Sequence, residues 1–328
     1  MNQRLAVLVS AALMALAPML SVSLARAQGY PERTVRIIVS LPPGGTGDVA
    51  GRIVAQALQT RMGQSFVVEN RAGAGGLIGV EVAAKAPGDG YTLVVSSPAG
   101  FTIIPALKPK VPYDPLKDFT HITMLVRNPL VFAVVPSLPV NNMTEFVAYA
   151  KARPGQVYYG SSGVGSVLHL SVEMVREKTG VDIVHVPYKG GIPVILALLS
   201  GQIQMGVGGP VDMPKRAASG QLRMIGQTTA KRHPLIPDVP TLAESGLGDV
   251  AVTGWFGLSA PAGLPQGIAA RLHRETIATI SDSAMRQRLV SLGCDAAPMS
   301  SEEFTKFIAD EAMLWSKTFK SRGFNIEE

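Results

Sequence analysis

A strand that breaks into a glycine-rich turn and then into a helix occurs twice in this chain, and that unit constrains the fold more than any other feature. Residues 35–40 (VRIIVS) read as a buried strand, 41–48 (LPPGGTGD) as the turn and 49–62 as a helix. The order returns with strand 156–159, turn 159–166 (YGSSGVGS) and helix 167–178. A strand that passes straight into a helix must cross over before it pairs again. That demands a mostly parallel sheet and an α/β class. Such turns also leave N–H groups of the helix's first turn unpaired, and those donors with the helix dipole favour an anion. Neither turn carries the Lys of a phosphate-binding loop or an obvious nucleophile. Two such turns, far apart in sequence, fit one small anion held between two halves of a fold.

The remaining pattern divides the chain into those halves. Strands at 65–69 and 91–96 and a helix at 77–85 extend the first unit. After strand-like runs at 121–125 and 130–135, a second α/β set follows. It has helices at 143–152 and 193–199 and strands at 183–186, 204–207 and 222–227. Beyond the run 252–259 the chain offers only helices, at 268–280, 283–292 and 302–322. Lacking strands of their own, they are expected to pack back on the first lobe. The reading is therefore a discontinuous first domain, 28–126 plus 253–328, and a second domain, 127–252. Two strand-like crossovers, near 123–130 and 252–256, would join them around an interdomain ligand cleft.

The first 27 residues form a separate unit. A short basic start, an almost wholly apolar stretch at 5–24 and Ala25-Arg26-Ala27 make a signal peptide cleaved after Ala27, with a signal anchor as the alternative. The expected product is an exported periplasmic protein that is not lipid-anchored, because the one cysteine, Cys294, lies far from the cleavage site. A single cysteine also excludes an internal disulfide or a thiolate metal cluster. Removing Arg4 and Arg26 lowers the net charge from +6 to about +4, a mild excess that attracts small carboxylates. No basic stripe interleaved with aromatics marks a nucleic-acid site.

Candidate ligand contacts cluster at the turns. In the first, Pro43, Gly44 and Gly45 allow close approach of backbone to a guest, and Thr46 or Asp48 can cap the helix. An ordinary capped turn reads equally well there. In the second, Ser161, Ser162 and Ser166 add hydroxyls to the N–H groups of Gly163 and Gly165. Ser166→Ala is expected to weaken binding while leaving the fold intact. Ser96 and Ser97 end another strand at the carboxyl edge where α/β ligands lie, and Gly190 follows a strand in a polar loop beside Lys189, which reads as solvated. Residues 71–79 (RAGAGGLIG) approach a dinucleotide fingerprint but miss its third-glycine spacing and its acidic residue, so they read as a close helix–strand contact. No G-x-S-x-G elbow occurs, and the five histidines show no i, i+3 or i+4 pairing. His169 reads as a satisfied histidine near the loop. No cofactor, metal or catalytic residue is expected.

Several stretches, taken in order, carry a family resemblance. Tyr30-Pro31 and VRIIVSLPPGGTGDVAGRIVAQAL, VVENRAGAGGLIG (67–79), GDGYTLVV (88–95), YGSSGVGSVLHL (159–170), VPYKGG (186–191), IPDVPTLAESG (236–246) and WFGLSAPAGLP (255–265) resemble Bug (TctC-type) solute receptors of tripartite tricarboxylate transporters. The resemblance implies a two-domain periplasmic binding fold of type II-like architecture that closes on small carboxylates, with 41–48 and 161–166 as the anchoring loops. It also implies integral membrane transporter subunits as partners, and a monomeric receptor. Two departures stand out. Leu41 occupies a position where the family commonly has Phe, and Gly208 lies where an Asp is often near. Losing that carboxylate points to a ligand without an amino group. A ligand sensor for a signalling partner and an exported α/β enzyme are the alternative readings.

Overall fold

The computed structural model describes residues 29–108, 110–210, 213–248, 250 and 252–322. The leader and its cleavage site fall outside them. No helix among the described residues is long and apolar enough to cross a membrane.

The chain opens with β1 (Val35–Val39), α1 (Thr46–Met62), β2 (Phe66–Asn70), α2 (Leu77–Ala84) and β3 (Thr92–Ser96). A π-helical turn (Ala99–Ile103) and α3 (Ile104–Leu107) lead into β4 (Phe119–Asn128). The second set comprises β5 (Val131–Val134), α4 (Met143–Lys151), β6 (Tyr158–Ser161), α5 (Val167–Thr179), β7 (Val184–Pro187), α6 (Gly191–Leu199), β8 (Met205–Gly208), α7 (Met213–Ala218) and β9 (Arg223–Gln227). The chain then returns through β10 (Gly254–Pro261), α8 (Gln266–Ile280), α9 (Ser283–Ser291), β11 (Asp295–Ala296) and α10 (Ser301–Arg322).

These strands build two sheets, ordered β11-β4-β10-β3-β1-β2 and β7-β6-β8-β5-β9. Within each, the strands that feed straight into helices pair parallel: β1 with β2 and β3, and β6 with β7 and β8. The strands at the crossings between lobes pair antiparallel, with Asn128 at the end of β4 opposite Gly254 at the start of β10. Sequence patterns placed the strands within two residues of these bounds except at the end of β4, which runs three residues beyond the run at 121–125. They gave no sign of the helical segment from 99 to 107, of α7 or of the two-residue β11. The first of these follows Pro98, and the others are too short for a period to show.

Continuous apolar runs such as VRIIV make sense because both faces of the first sheet are covered. Ile37 and Val39 pack with Ile53, Leu58 and Leu272 from α1 and α8. Ile38 and Val94 point the other way, toward Val80 of α2, Phe101 and Phe304 of α10. The late helices therefore do cover the first sheet. Along α10, Phe304 and Ile308 belong to that core, whereas Trp315 and Phe319 join the hydrophobic cluster built on β5, α4, α5 and β8. The last helix thus contributes to the cores of both lobes.

Candidate functional site

The turn after β1 is shaped by a buried carboxylate. Helix α1 starts at Thr46, so its N-cap is Gly45, which makes no side-chain cap. The expected capping by Thr46 or Asp48 does not occur, because both sit inside the first turn. Asp48 instead folds back, accepting hydrogen bonds from Gly44 N (2.9 Å), Asn70 Nδ2 (2.9 Å) and Arg52 Nε (3.0 Å). Asn70 also donates to Leu41 O (3.0 Å), tying both ends of the turn together. Burial pushes the Asp48 carboxyl up, but the Arg52, Gly44 and Asn70 hydrogen bonds outweigh it and hold the group below its ordinary value. Gly44 N–H is therefore committed inside the turn. The donors left for a guest are the uncapped amides at the start of α1.

The turn after β6 rests on an aromatic stack. Ser166 caps α5, its Oγ accepting from His169 N (3.2 Å). Gly165 N donates to His169 Nδ1 (3.2 Å), and His185 Nε2 lies 2.7 Å from Ser161 Oγ, which also accepts from Gly163 N. The two imidazoles stack with centroids 4.1 Å apart, and Tyr159 stacks on His185 at 4.8 Å. Behind them the Tyr159 hydroxyl donates to Glu173 Oε1 (2.5 Å), which pairs with Arg176. Burial lowers the pKa of both histidines, His185 to about 4 with a further push from the neighbouring His169, and Glu173 opposes the shift in each. Both are neutral at pH 7, which leaves His169 Nδ1 able to accept. The sequence showed no such pair because the partners are 16 residues apart and meet only through β6–β7 pairing.

The two turns face a single cavity of about 520 Å³ between the sheets. Of the residues expected from sequence, Leu41, Pro43, Gly45, Thr46, Ser97, Ser162, Gly163, Ser166, Gly190 and Gly208 line it. Gly44, Asp48, Ser96, Ser161 and Gly165 do not reach the wall. Asp48, Ser161 and the Gly44 and Gly165 amides are used in holding the turns. Ser96 lies in the sheet, with Ser259 Oγ 3.4 Å from its own, and strand alternation hands the wall to Ser97. Ser166 lines the cavity and caps a helix, so Ser166→Ala also removes a cap; a purely local effect is not expected.

Sequence reasoning missed Ser40, Asn128, Tyr188, Ile192, Ile195 and Phe256, and it left Lys189 in solvent; all of them line the cavity. Ser40 could have been found, since it immediately follows the first strand. The segment 72–76 lines it too, and beyond it Gly79 packs where a Cβ would lie 2.7 Å from Ser40 Cα. The wall is largely apolar, and among the described residues that line it Lys189 carries the one formal charge and there is no Asp or Glu. The lobes touch across it. A Cβ on Gly190 would sit 2.8 Å from Pro42 Cγ, and one on Gly209 would sit 2.6 Å from Thr46 Oγ1.

The model of the tripartite tricarboxylate transporter family receptor, TctC, matches residues 50–324. This chain belongs to that family. BugT of Bordetella pertussis is 34% identical over 92% of this chain and 93% of its own. Among solved structures, R. palustris Rpa4515 with adipate superposes with a TM-score of 0.86 at 33% identity, covering 90% of this chain and 98% of that one. MatC (Rpa3494) from Rhodopseudomonas palustris with bound malate gives 0.82 at 30% identity, covering 88% and 99%. The fold of this TctC-family chain is accordingly the two-domain α/β fold of periplasmic solute-binding proteins.

Proposed function

We propose that this TctC-family chain is a periplasmic receptor that closes on a small organic carboxylate and presents it to membrane subunits of a tripartite transporter, without chemical turnover. The observation that carries the reading is the uncapped start of α1 facing the Ser162–Ser166 turn across a wall with no Asp or Glu among its described residues. N–H and hydroxyl donors bind a carboxylate through charge-assisted bonds about twice as strong as neutral ones, so no Arg is needed. The adipate and malate in two relatives of known structure support the ligand class. Domains at 28–126 plus 253–328 and at 127–252 would close around the guest, with Leu41, Pro43, Gly45, Thr46, Ser97, Ser162, Gly163, Ser166, Gly190 and Gly208 as its contacts. The receptor is exported, cleaved after Ala27, and works as a monomer.

No acid stands among the described residues of the wall, which favours a ligand without an amino group, because a buried ammonium would find no counter-charge among them. A thermal-shift screen of the purified protein against organic acids and amino acids tests this. Ligand at 100 times its Kd stabilises the folded state by about 2.7 kcal/mol. Simple di- or tricarboxylates or aromatic acids are expected to raise Tm. Tight binding of aspartate or glutamate, with no organic acid active, would overturn the reading.

A further inference from the structure

Apolar side chains bracket the first turn of α1. Gly47 is buried in that turn, and a Cβ there would lie 2.6 Å from Phe256 Cε1 and 3.1 Å from Leu41 Cδ1. The glycine lets an aromatic ring and an aliphatic side chain pack directly against the turn, and both line the cavity. Ile192, in the first turn of α6, approaches from the other lobe, since a Cβ on Gly44 would lie 3.9 Å from its Cγ1. Leu168 and Ile195 extend the same apolar wall. Leu41 and Ile192 are half-buried, which leaves surface on each for a guest.

The cavity is also large for a short acid. Its lobes are already close at Gly190 and Gly209, so about 520 Å³ is the volume of a cleft whose walls touch. At about 30 Å³ per water it has room for roughly 17 waters, whereas succinate brings about eight non-hydrogen atoms. The remainder would be water held against carbon. An apolar body that displaces it gains about fourfold in affinity per methylene buried.

Polar groups are poorly placed to read a polar body. Thr46, Ser162 and Ser166 stand at the two turns. Lys189 is exposed, so its ammonium stays in water. Ser40 and Asn128 are 1% and 4% exposed and present almost no polar surface. A hydroxyl set against Phe256, Leu41 or Ile192 would lose its water and find no partner there.

We infer that the body of the ligand is an apolar chain or ring longer than four carbons, lying between Phe256, Leu41 and Ile192, so that this receptor selects such acids over short hydroxy acids. The inference rests on the carboxylate reading above and adds what the carboxylate is attached to.

Calorimetric titration of three series tests it: succinate, adipate and suberate; butyrate, hexanoate and octanoate; benzoate and 3-phenylpropionate. Malate and citrate serve as polar comparators. In at least one series Kd is expected to fall about fourfold per added methylene, or about fifteenfold for two. The heat capacity of binding should become more negative along that series, as apolar burial requires. Malate and citrate are expected to bind more weakly than its longer members. Ile192→Ser is expected to weaken the longer acids at least about fivefold and to flatten the series. A Kd that stays level or rises with length in every series that binds overturns the inference, and so does tightest binding of malate or citrate. An equal loss for every length in Ile192→Ser marks a structural role and overturns the placement of the body, as does an unaltered slope. If the variant misfolds, the wild-type series still decides. Binding of none of the ten acids removes the carboxylate reading and this inference with it, a result distinct from a level series.

Discussion

Asp48→Ala isolates the role of the buried carboxylate that shapes the first turn. In the native fold Asp48 is 3% exposed and accepts from Gly44 N, Asn70 Nδ2 and Arg52 Nε. The first two are charge-assisted bonds in a protected site, at about 1.5 kcal/mol each on the low side of their range. The Arg52 side chain is 54% exposed, so its ion pair adds about 0.5 kcal/mol at most. Asn70 keeps its bond to Leu41 O, which limits the damage. The expected loss is about 3 kcal/mol, a large part of a typical domain's stability. Urea unfolding reads it as a midpoint lowered by about 1 M, at an m-value of about 3 kcal/mol/M. The native pKa is depressed, so the stabilisation is complete above the unfolded value of 3.8 and fades as pH falls through the native one. The gap between wild type and variant should thus be constant near neutrality and shrink in strong acid. Asp48→Asn, which keeps one acceptor oxygen, should fall between them. A variant within about 0.5 kcal/mol of wild type at pH 7, the scatter of ordinary surface substitutions, would falsify the assignment.

Three further outcomes follow from the same geometry. Gly190 adopts φ +114° and faces Pro42 across the cleft, so Gly190→Ala should weaken capture of whichever acid the screen identifies by at least about tenfold, with solution scattering showing a more open particle; unchanged affinity would separate this contact from closure. His185 and His121 have native pKa values lowered by burial to about 4, so the unfolded chain takes up protons first as pH drops below 6.5. Stability should therefore fall from pH 6.5 toward 4, by up to about 1.4 kcal/mol per pH unit for each histidine, and His185→Gln should flatten the slope; an unaltered slope in that variant counts against the stack as drawn. Cys294 is 3% exposed, and burial, aided by Asp295, pushes its thiol up to about 12, so a disulfide reagent should label it only on unfolding; rapid labelling of the folded protein would contradict its position.

Much of the architecture was legible because it rests on local signals. Strand runs and helical periods set the α/β class, and the helices after residue 266 had no strands of their own to cover. The two glycine-rich turns announced themselves through their position between a strand and a helix. Residues 71–79 were read as a close helix–strand contact, and Gly79 does pack closely on Ser40. Asp48 was misjudged because capping depends on the register of the first turn, and one residue of shift converts a cap into a clasp. Ser161 was taken for a ligand donor because a hydroxyl in a turn looks the same whether it faces a guest or a histidine.

What the sequence alone determined is the class of fold, the division into two lobes and the two glycine-rich turns that face the cavity. These follow from backbone hydrogen bonding and side-chain period, which act over a few residues. Only the tertiary structure decided which residues meet at the cavity. Sheet order brings Ser40, Ser97 and Asn128 to one edge from strands up to 88 residues apart, and strand pairing stacks His169 on His185. No local signal links these residues, because strand pairing and sheet order join segments far apart in the chain.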